Sequence, residues 1–251
     1  MKILETNFHR GWGGQPSRIL MMSRVLASRG HRVTIAAPRG SLLAGRAREA
    51  GLEVFDAPAF RKPKFLHDTV RDLVVMARHL RTERYDLIDA HGSQDLWTCV
   101  LARRIAGRTA PLVFTRHNTK RVGVHFANSW LYRRQVDHLI VASASVMERY
   151  EALFRCGALS RDRVSIVQSA YRPDRFHPGV HGGRVRAELG LAADAPLVGV
   201  VGRLVEDKGQ DDFLKAASIV LGRRPEAHFV LVGTGPREAD VKVRYATPAS
   251  P

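Results

Sequence analysis

The sequence predicts an α/β fold in which two strand–helix units each carry a parallel sheet. Short apolar runs alternate with helical patterns from the first residue to about 233. Several of these runs end in a glycine turn or a strand-end histidine, the position where parallel sheets bind ligands. Residues 171–183, YRPDRFHPGVHGG, hold two prolines and three glycines without apolar periodicity, so they read as a linker. The expected organisation is a first unit over 1–170, the linker, a smaller second unit over 184–236, and an atypical tail over 237–251.

The first strand is Lys2–Thr6, followed by a glycine-rich turn and a helix marked by Ile19, Met22, Val25 and Leu26, with a stop at Arg29-Gly30. Strands follow at Arg32–Ala37 and Glu53–Ala57. Val70 to Leu80 is the best helix, with Val70, Leu73, Val74, Ala77 and Leu80 on one stripe and Arg71, Asp72, Arg78 and His79 opposite. Further strands are Leu87–Ala90, Leu112–Thr115, His138–Ala142 and Val164–Val167. Past the linker come a helix from Arg184 to Leu189, a strand Leu197–Val201, a helix Gln210–Leu221 and a strand Val230–Val232. Two parallel strands leave faces and edges uncovered, so the second unit reads as incomplete.

The segment LVGVVGRLVEDKG over 197–209 places Arg203 and Lys208 between a strand end and a helix start. Free N–H groups at that helix end add positive field, and two cations beside them suit a diphosphate. The plainer alternative is a solvated strand–helix connection. Gly202 ends this strand, and FVLVGTGP over 229–236 opens a second glycine turn, with Gly233 and Gly235, beside it.

The chain has 251 residues, 45% hydrophobic and 25% charged, a globular composition. No apolar run approaches the roughly 18 residues of a membrane span, and MKILETNFHR lacks a signal-peptide core, which suggests a cytoplasmic protein. Cys99 and Cys156 show no metal or redox spacing and read as buried packing thiols. The formal charge is +16, with 33 arginines among the 40 cations. Coding bias accounts for such a skew as readily as function does. A more pointed cluster is Arg61-Lys62-Pro63-Lys64-Phe65-Leu66, which mixes cations with apolar residues as an anionic lipid surface requires. Residues 116–134, with Lys120, Arg121, Phe126 and Trp130, have the same character. Nucleic acid is not expected as a partner, because no stacking aromatics or recognition motif accompany the charge.

The turn after the first strand, HRGWGGQPSR over 9–18, brings Gly13 and Gly14 to a helix start without the dinucleotide spacing G-x-G-x-x-G. His91 closes the strand in DLIDAHG, and His117 closes another in FTRHN. A strand-end histidine is ordinarily a hydrogen-bonded structural residue, and His91 is read so first. His117 is the better catalytic candidate because Arg116, Asn118 and Thr119 crowd polar groups onto the same loop. Asp89 alternates inside an apolar strand, and Asp95 sits where a helix cap belongs. No metal-ligand spacing or Ser-His-Asp ordering is present.

These residues resemble retaining glycosyltransferases of family four, a group with the GT-B architecture of two Rossmann-like domains facing a cleft. The resemblance runs from Met1 to about Pro236. It rests on the Gly13-Gly14 turn, DLIDAH, VFTRHN, DHLIVASASV, VSIVQSAYRPDRFHP, VGRLVEDKG and HFVLVGTGP. It implies a nucleotide-sugar donor whose diphosphate meets Arg203 and Lys208, with Gly13 and Gly14 near the donor and His117 near the transferred sugar or the acceptor. It further implies a glycan or lipid-linked acceptor, no metal or other cofactor, and a cytoplasmic location, peripheral to the inner face of a membrane. The chain departs from the family at Gln168-Ser169-Ala170, where Asn-Gly is usual, and at Gln15-Pro16-Ser17 before Arg18, where an acid is commoner. The family's pair of glutamates is expected beyond 236 and is not present, so the sequence reads as C-terminally truncated. An acceptor- or membrane-binding module without catalysis is the alternative.

Overall fold

A computed structural model describes residues 1–61, 66–107, 110–171 and 173–245. The chain divides into two compact units, Met1–Tyr171 and Arg172–Pro251.

In the first unit the elements alternate in the order β1 (Lys2–Thr6), α1 (Gly14–Ser28), β2 (Arg32–Ala36), α2 (Leu42–Glu49), β3 (Glu53–Phe55) and α3 (Leu66–Glu83). They continue with β4 (Leu87–Ala90), α4 (Ser93–Ile105), β5 (Leu112–Arg116), α5 (Phe126–Arg134), β6 (His138–Val141), α6 (Ala144–Met147), α7 (Glu151–Arg155) and β7 (Val164–Ile166). All seven strands are parallel, in the order β3-β2-β1-β4-β5-β6-β7. The order reverses between β1 and β4, the switch point where a parallel sheet opens a crevice at its carboxyl edge.

Successive residues of a strand face opposite ways, and both faces are covered. In β2, Ile35 joins Ile19 of α1 and Leu43, Ala44 and Ala47 of α2, while Ala36 joins the larger core with Leu4, Met76, Leu80, Leu96, Phe114 and Tyr150. The stripe of α3 differs from the sequence expectation: Val70 and Val74 are each 50% exposed, whereas Asp72 is buried. Asp72 turns inward because its carboxylate accepts the Ala59 and Phe60 backbone N–H groups at 2.9 and 2.7 Å. Satisfied that way, an acid can occupy a core-facing helix position. Cys99 is buried, but Cys156, which follows the last turn of α7, is exposed and so is not a packing thiol.

The second unit contains α8 (Gly183–Glu188), β8 (Leu197–Val201), α9 (Gln210–Leu221), β9 (His228–Val232) and α10 (Glu238–Tyr245). β8 and β9 pair in parallel from Leu197↔His228 to Val201↔Val232. Phe213 of α9 meets Phe229 of β9 edge-on at 5.8 Å. Among the described residues, no helix is long and apolar enough to cross a membrane.

Candidate active site

The switch point of the first sheet gathers a polar cluster that follows from register. Glu5 of β1 pairs with Asp89 of β4, so both carboxylates face the same side. His91 lies two residues beyond Asp89 and shares that face by strand alternation. The cluster closes by hydrogen bonds. His91 Nε2 lies 2.6 Å from Glu5 Oε2 and 3.7 Å from Asp89 Oδ2, and His91 Nδ1 lies 2.9 Å from His117 Nε2. The Thr115 hydroxyl reaches both Asp89 oxygens at 2.9 Å. Arg18 enters from α1, where it donates to the Val167 carbonyl at 2.8 Å and to Ser169 Oγ at 3.2 Å.

Asp95 is the helix cap expected of it. From the first turn of α4 its Oδ2 accepts from the backbone of His91 and Gly92 and from the Thr6 hydroxyl, at 2.9, 3.2 and 2.8 Å. Gly92 must lack a side chain, because a Cβ there would lie 2.2 Å from the Phe8 ring.

Burial sets the protonation of this cluster. Glu5 is 4% exposed, and desolvation raises its pKa to about 8 against the opposing pull of Arg18. Asp89 is raised as well, by burial first and then by Glu5. His91 and His117 move the other way, chiefly by burial, His117 to about 3 with further lowering by His91, Arg18 and His9. At neutral pH the site therefore holds two uncharged imidazoles on a largely protonated Glu5.

Donor atoms of Glu5, Asp89 and His91 come within 4.8 Å of one another, the only such group among the described residues. The 2.6 Å separation of Glu5 and His91 is that of a hydrogen bond. It is shorter than the roughly 3.3–3.6 Å between neighbouring ligands bound tetrahedrally to a metal at ~2.0–2.2 Å.

His91 and His117 are thus brought together, and His91, buried and hydrogen-bonded through both ring nitrogens, has the contacts of the structural residue that its place at a strand end predicts. Asn118 is drawn into its own loop: its Oδ1 accepts from Lys120 N at 3.2 Å, and Arg116 Nη2 ties the Lys120 carbonyl at 3.1 Å. Lys120 and Arg121 are exposed, and Phe126 is 88% exposed. Arg61 is exposed and pairs with Asp68 at 2.9 Å, while Lys62, Lys64 and Phe65 lie outside the described residues. A pocket of about 260 Å³ on this unit is lined by Arg10, Arg39, Asp56, Arg61 and Arg71.

The glycines fall into two kinds. A Cβ on Gly13, Gly14 or Gly202 would meet nothing within 4 Å, so the space before those turns is open. A Cβ on Gly233 would lie 1.8 Å from the Gly202 carbonyl oxygen, and one on Gly235 2.3 Å from that of Leu204. Gly233 and Gly235 are therefore required by the packing of one turn on the other. Arg203 and Lys208 are exposed in the β8–α9 connection. The Arg203 carbonyl is held by Gln210 Nε2 at 2.8 Å, and Gly209, left-handed at φ 68, opens α9 without a side-chain cap.

The family profile described as Glycosyltransferase Family 4 matches residues 12–175, and that for Glycosyl transferases group 1 matches 183–246. The chain belongs to Glycosyltransferase Family 4. The group 1 match runs past the Pro236 limit read from the motifs, into the segment that forms α10. An Escherichia coli relative, UDP-Gal:alpha-D-GlcNAc-diphosphoundecaprenol alpha-1,3-galactosyltransferase, is 24% identical over 78% of this chain and 52% of its own length. The fold is that of a Rickettsia africae glycosyltransferase, with a TM-score of 0.76 and 14% identity over 97% of this chain and 63% of that one. It is also that of Anabaena HepE in complex with UDP-glucose, with a TM-score of 0.74 and 18% identity over 98% and 64%. This family 4 chain spans about half the length of that curated relative and just under two thirds of those two structures.

Sequence reading missed Glu5 and Arg18 as members of the site. The available signal was an acid between Leu4 and Thr6 in a strand otherwise apolar enough to be buried on both sides.

Proposed function

We propose that the protein transfers a glycosyl group, with retention, from a nucleotide-sugar to a glycan or lipid-linked acceptor. The carrying observation is the β8–α9 connection, where exposed Arg203 and Lys208 stand beside the open turn at Gly202 and the uncapped start of α9. A diphosphate gains charge as the glycosidic bond breaks, and cations fixed in place before that moment lower the barrier. Gly13 and Gly14 leave backbone N–H groups at the start of α1 accessible to the same ligand class. His117 stands at the carboxyl edge of the first sheet, where it would contact the sugar or the acceptor hydroxyl.

The acceptor side of the reading draws on the arginine-lined pocket. Four guanidinium groups surround it; Arg61 is paired with Asp68 at 2.9 Å outside the lining, and the single lining carboxylate, Asp56, is engaged by Arg39 and Arg48 at 3.4 and 2.8 Å. That excess of planar donors suits a phosphoryl group, in keeping with the diphosphate-linked acceptor named for the E. coli relative. Val124 and Phe126, exposed beside Lys120 and Arg121, support contact with an acidic membrane surface from the cytoplasmic side.

The test incubates the purified chain with labelled UDP- and GDP-sugars and either a prenyl-diphosphate glycan or a free glycan, and reads the product anomer by NMR. Transfer with the donor's anomeric configuration kept is expected. Inverted product removes retention. Failure of every donor to transfer, with acidic liposomes still bound, favours the binding-module alternative.

A further inference from the structure

The rim histidine is wired inward. His117 Nε2 meets His91 Nδ1 at 2.9 Å, and His91 Nε2 meets Glu5 Oε2 at 2.6 Å, so three ionisable groups from β1, β4 and the end of β5 form one line. His117 enters this line through Nε2, which leaves Nδ1 as the ring nitrogen on the other side, and the ring is half-buried at the carboxyl edge. A neutral imidazole carries its proton on one nitrogen only, so each hydrogen bond in the line fixes the direction of the next.

We propose that Glu5 and His91 are positioning residues for His117, forming a buried proton relay that decides whether His117 Nδ1 donates or accepts a hydrogen bond at the rim. With its carboxyl protonated, Glu5 donates to His91 Nε2, His91 Nδ1–H donates to His117 Nε2, and His117 presents Nδ1–H outward. With Glu5 ionised, every bond reverses: His91 donates through Nε2–H to the carboxylate, His117 donates through Nε2–H to His91 Nδ1, and His117 Nδ1 is a bare acceptor. The two states differ by one proton. It leaves at His117 Nδ1 when Glu5 ionises, and a proton taken from a ligand hydroxyl at Nδ1 ends on Glu5. Both imidazoles stay neutral throughout.

The surroundings favour this neutral-ring relay. Facing it are Asp89 of β4, held by Thr115 of β5, together with Asp95 of α4, Arg18 of α1 and His9 of the β1–α1 turn. Burial raises Glu5 to about 8 and holds both histidines below their usual range. The polarity of the rim therefore changes near neutrality to mild alkali, where ordinary glutamates are already ionised. The identity of the ligand at the rim rests on the glycosyl-transfer reading, whereas the relay is a property of the folded chain and is tested without substrate.

The experiment is a long-range ¹H–¹⁵N correlation spectrum of the full chain labelled with ¹⁵N-histidine, recorded from pH 6 to 10, with His117 assigned through His117→Gln. The expected result is an Nδ1–H tautomer of His117 at low pH that converts to Nε2–H with a midpoint of about 8, together with a matching conversion at His91. In Glu5→Gln the conversion disappears across the whole range while cooperative unfolding is kept. In Asp89→Asn it persists with its midpoint moved down. A wild-type His117 tautomer that does not change with pH would overturn the relay. So would an unchanged midpoint in Glu5→Gln, or a conversion lost in Asp89→Asn alone. A relay seen in a chain that transfers no sugar would leave this inference standing and remove the functional reading instead.

Discussion

The two units place their candidate ligand groups in opposite surroundings. In the first, seven strands bury both faces, and the polar groups at the switch point are taken out of water: Glu5 is 4% and His91 6% exposed. In the second, two strands leave Val198, Val201 and Val232 at 48, 81 and 49% exposure, and the candidate ligand groups, Arg203 and Lys208, stand in solvent. Chemistry in the first unit is therefore set by burial, which moves protonation and fixes hydrogen-bond direction. In the second the candidate groups are permanent charges that stay in water. The glycines do not follow this division: Gly13, Gly14 and Gly202 are open, whereas Gly92 is closed against a side chain and Gly233 and Gly235 against backbone.

The sharpest way to break this contrast is to remove buried bulk from the first sheet. Phe114→Ala, at a 1% exposed site in β5, is expected to cost about 3–5 kcal/mol in urea unfolding. A loss under 1 kcal/mol would mean the first unit is not the dense one. Arg203→Ala and Lys208→Ala come next. Each is expected to weaken nucleoside diphosphate binding by roughly tenfold or more, the range of hydrogen bonds to charged groups at about 1.5–3 kcal/mol, with melting unchanged. The glycines offer a third comparison by differential scanning calorimetry. Gly233→Ala is expected to destabilise the second unit by about 1–3 kcal/mol through overpacking, whereas Gly13→Ala, at an extended φ of 174, leaves melting alone.

A pH series sharpens the protonation side. Glu5, Asp89 and Asp95 have raised pKa values, so each contributes stability at low pH that is lost as pH rises through its folded value. The lowered His91 and His117 act oppositely, adding stability as pH rises to about 6.5, their ordinary value. Above that only the acids still act. The melting temperature is expected to fall from pH 6.5 to beyond 8, and the fall is expected to be shallower in Glu5→Gln. A melting temperature that rises over this window would contradict the burial account. The smallest effect is Val201→Ala, within about ±0.5 kcal/mol as an exposed substitution; a larger change would show that this face is covered in solution.

Most of the scaffold could be read from the chain because parallel strands announce themselves as short apolar runs. Lys2–Thr6, Leu87–Ala90 and Leu197–Val201 fall where periodicity puts them. His91 and His117 were visible because each closes such a run. Glu5 was not, since knowing that β1 is central, and that its alternate face is buried under α1, requires the strand order. Asp72 was misread for a related reason: helical periodicity sees its polarity but not the two N–H groups of Ala59 and Phe60 waiting for it. Cys156 shows the same limit, because nothing in its local pattern distinguishes an exposed helix end from a buried one.

The account stands most directly on the diphosphate at Arg203 and Lys208. Titrating UDP and GDP into the backbone-labelled 251-residue chain and into Arg203→Ala/Lys208→Ala follows both affinity and amide shifts. The predicted result is saturable binding that perturbs the amides of 202–209 and weakens at least tenfold in the double variant. Equal affinity in the two proteins, with those amides unmoved, would contradict it.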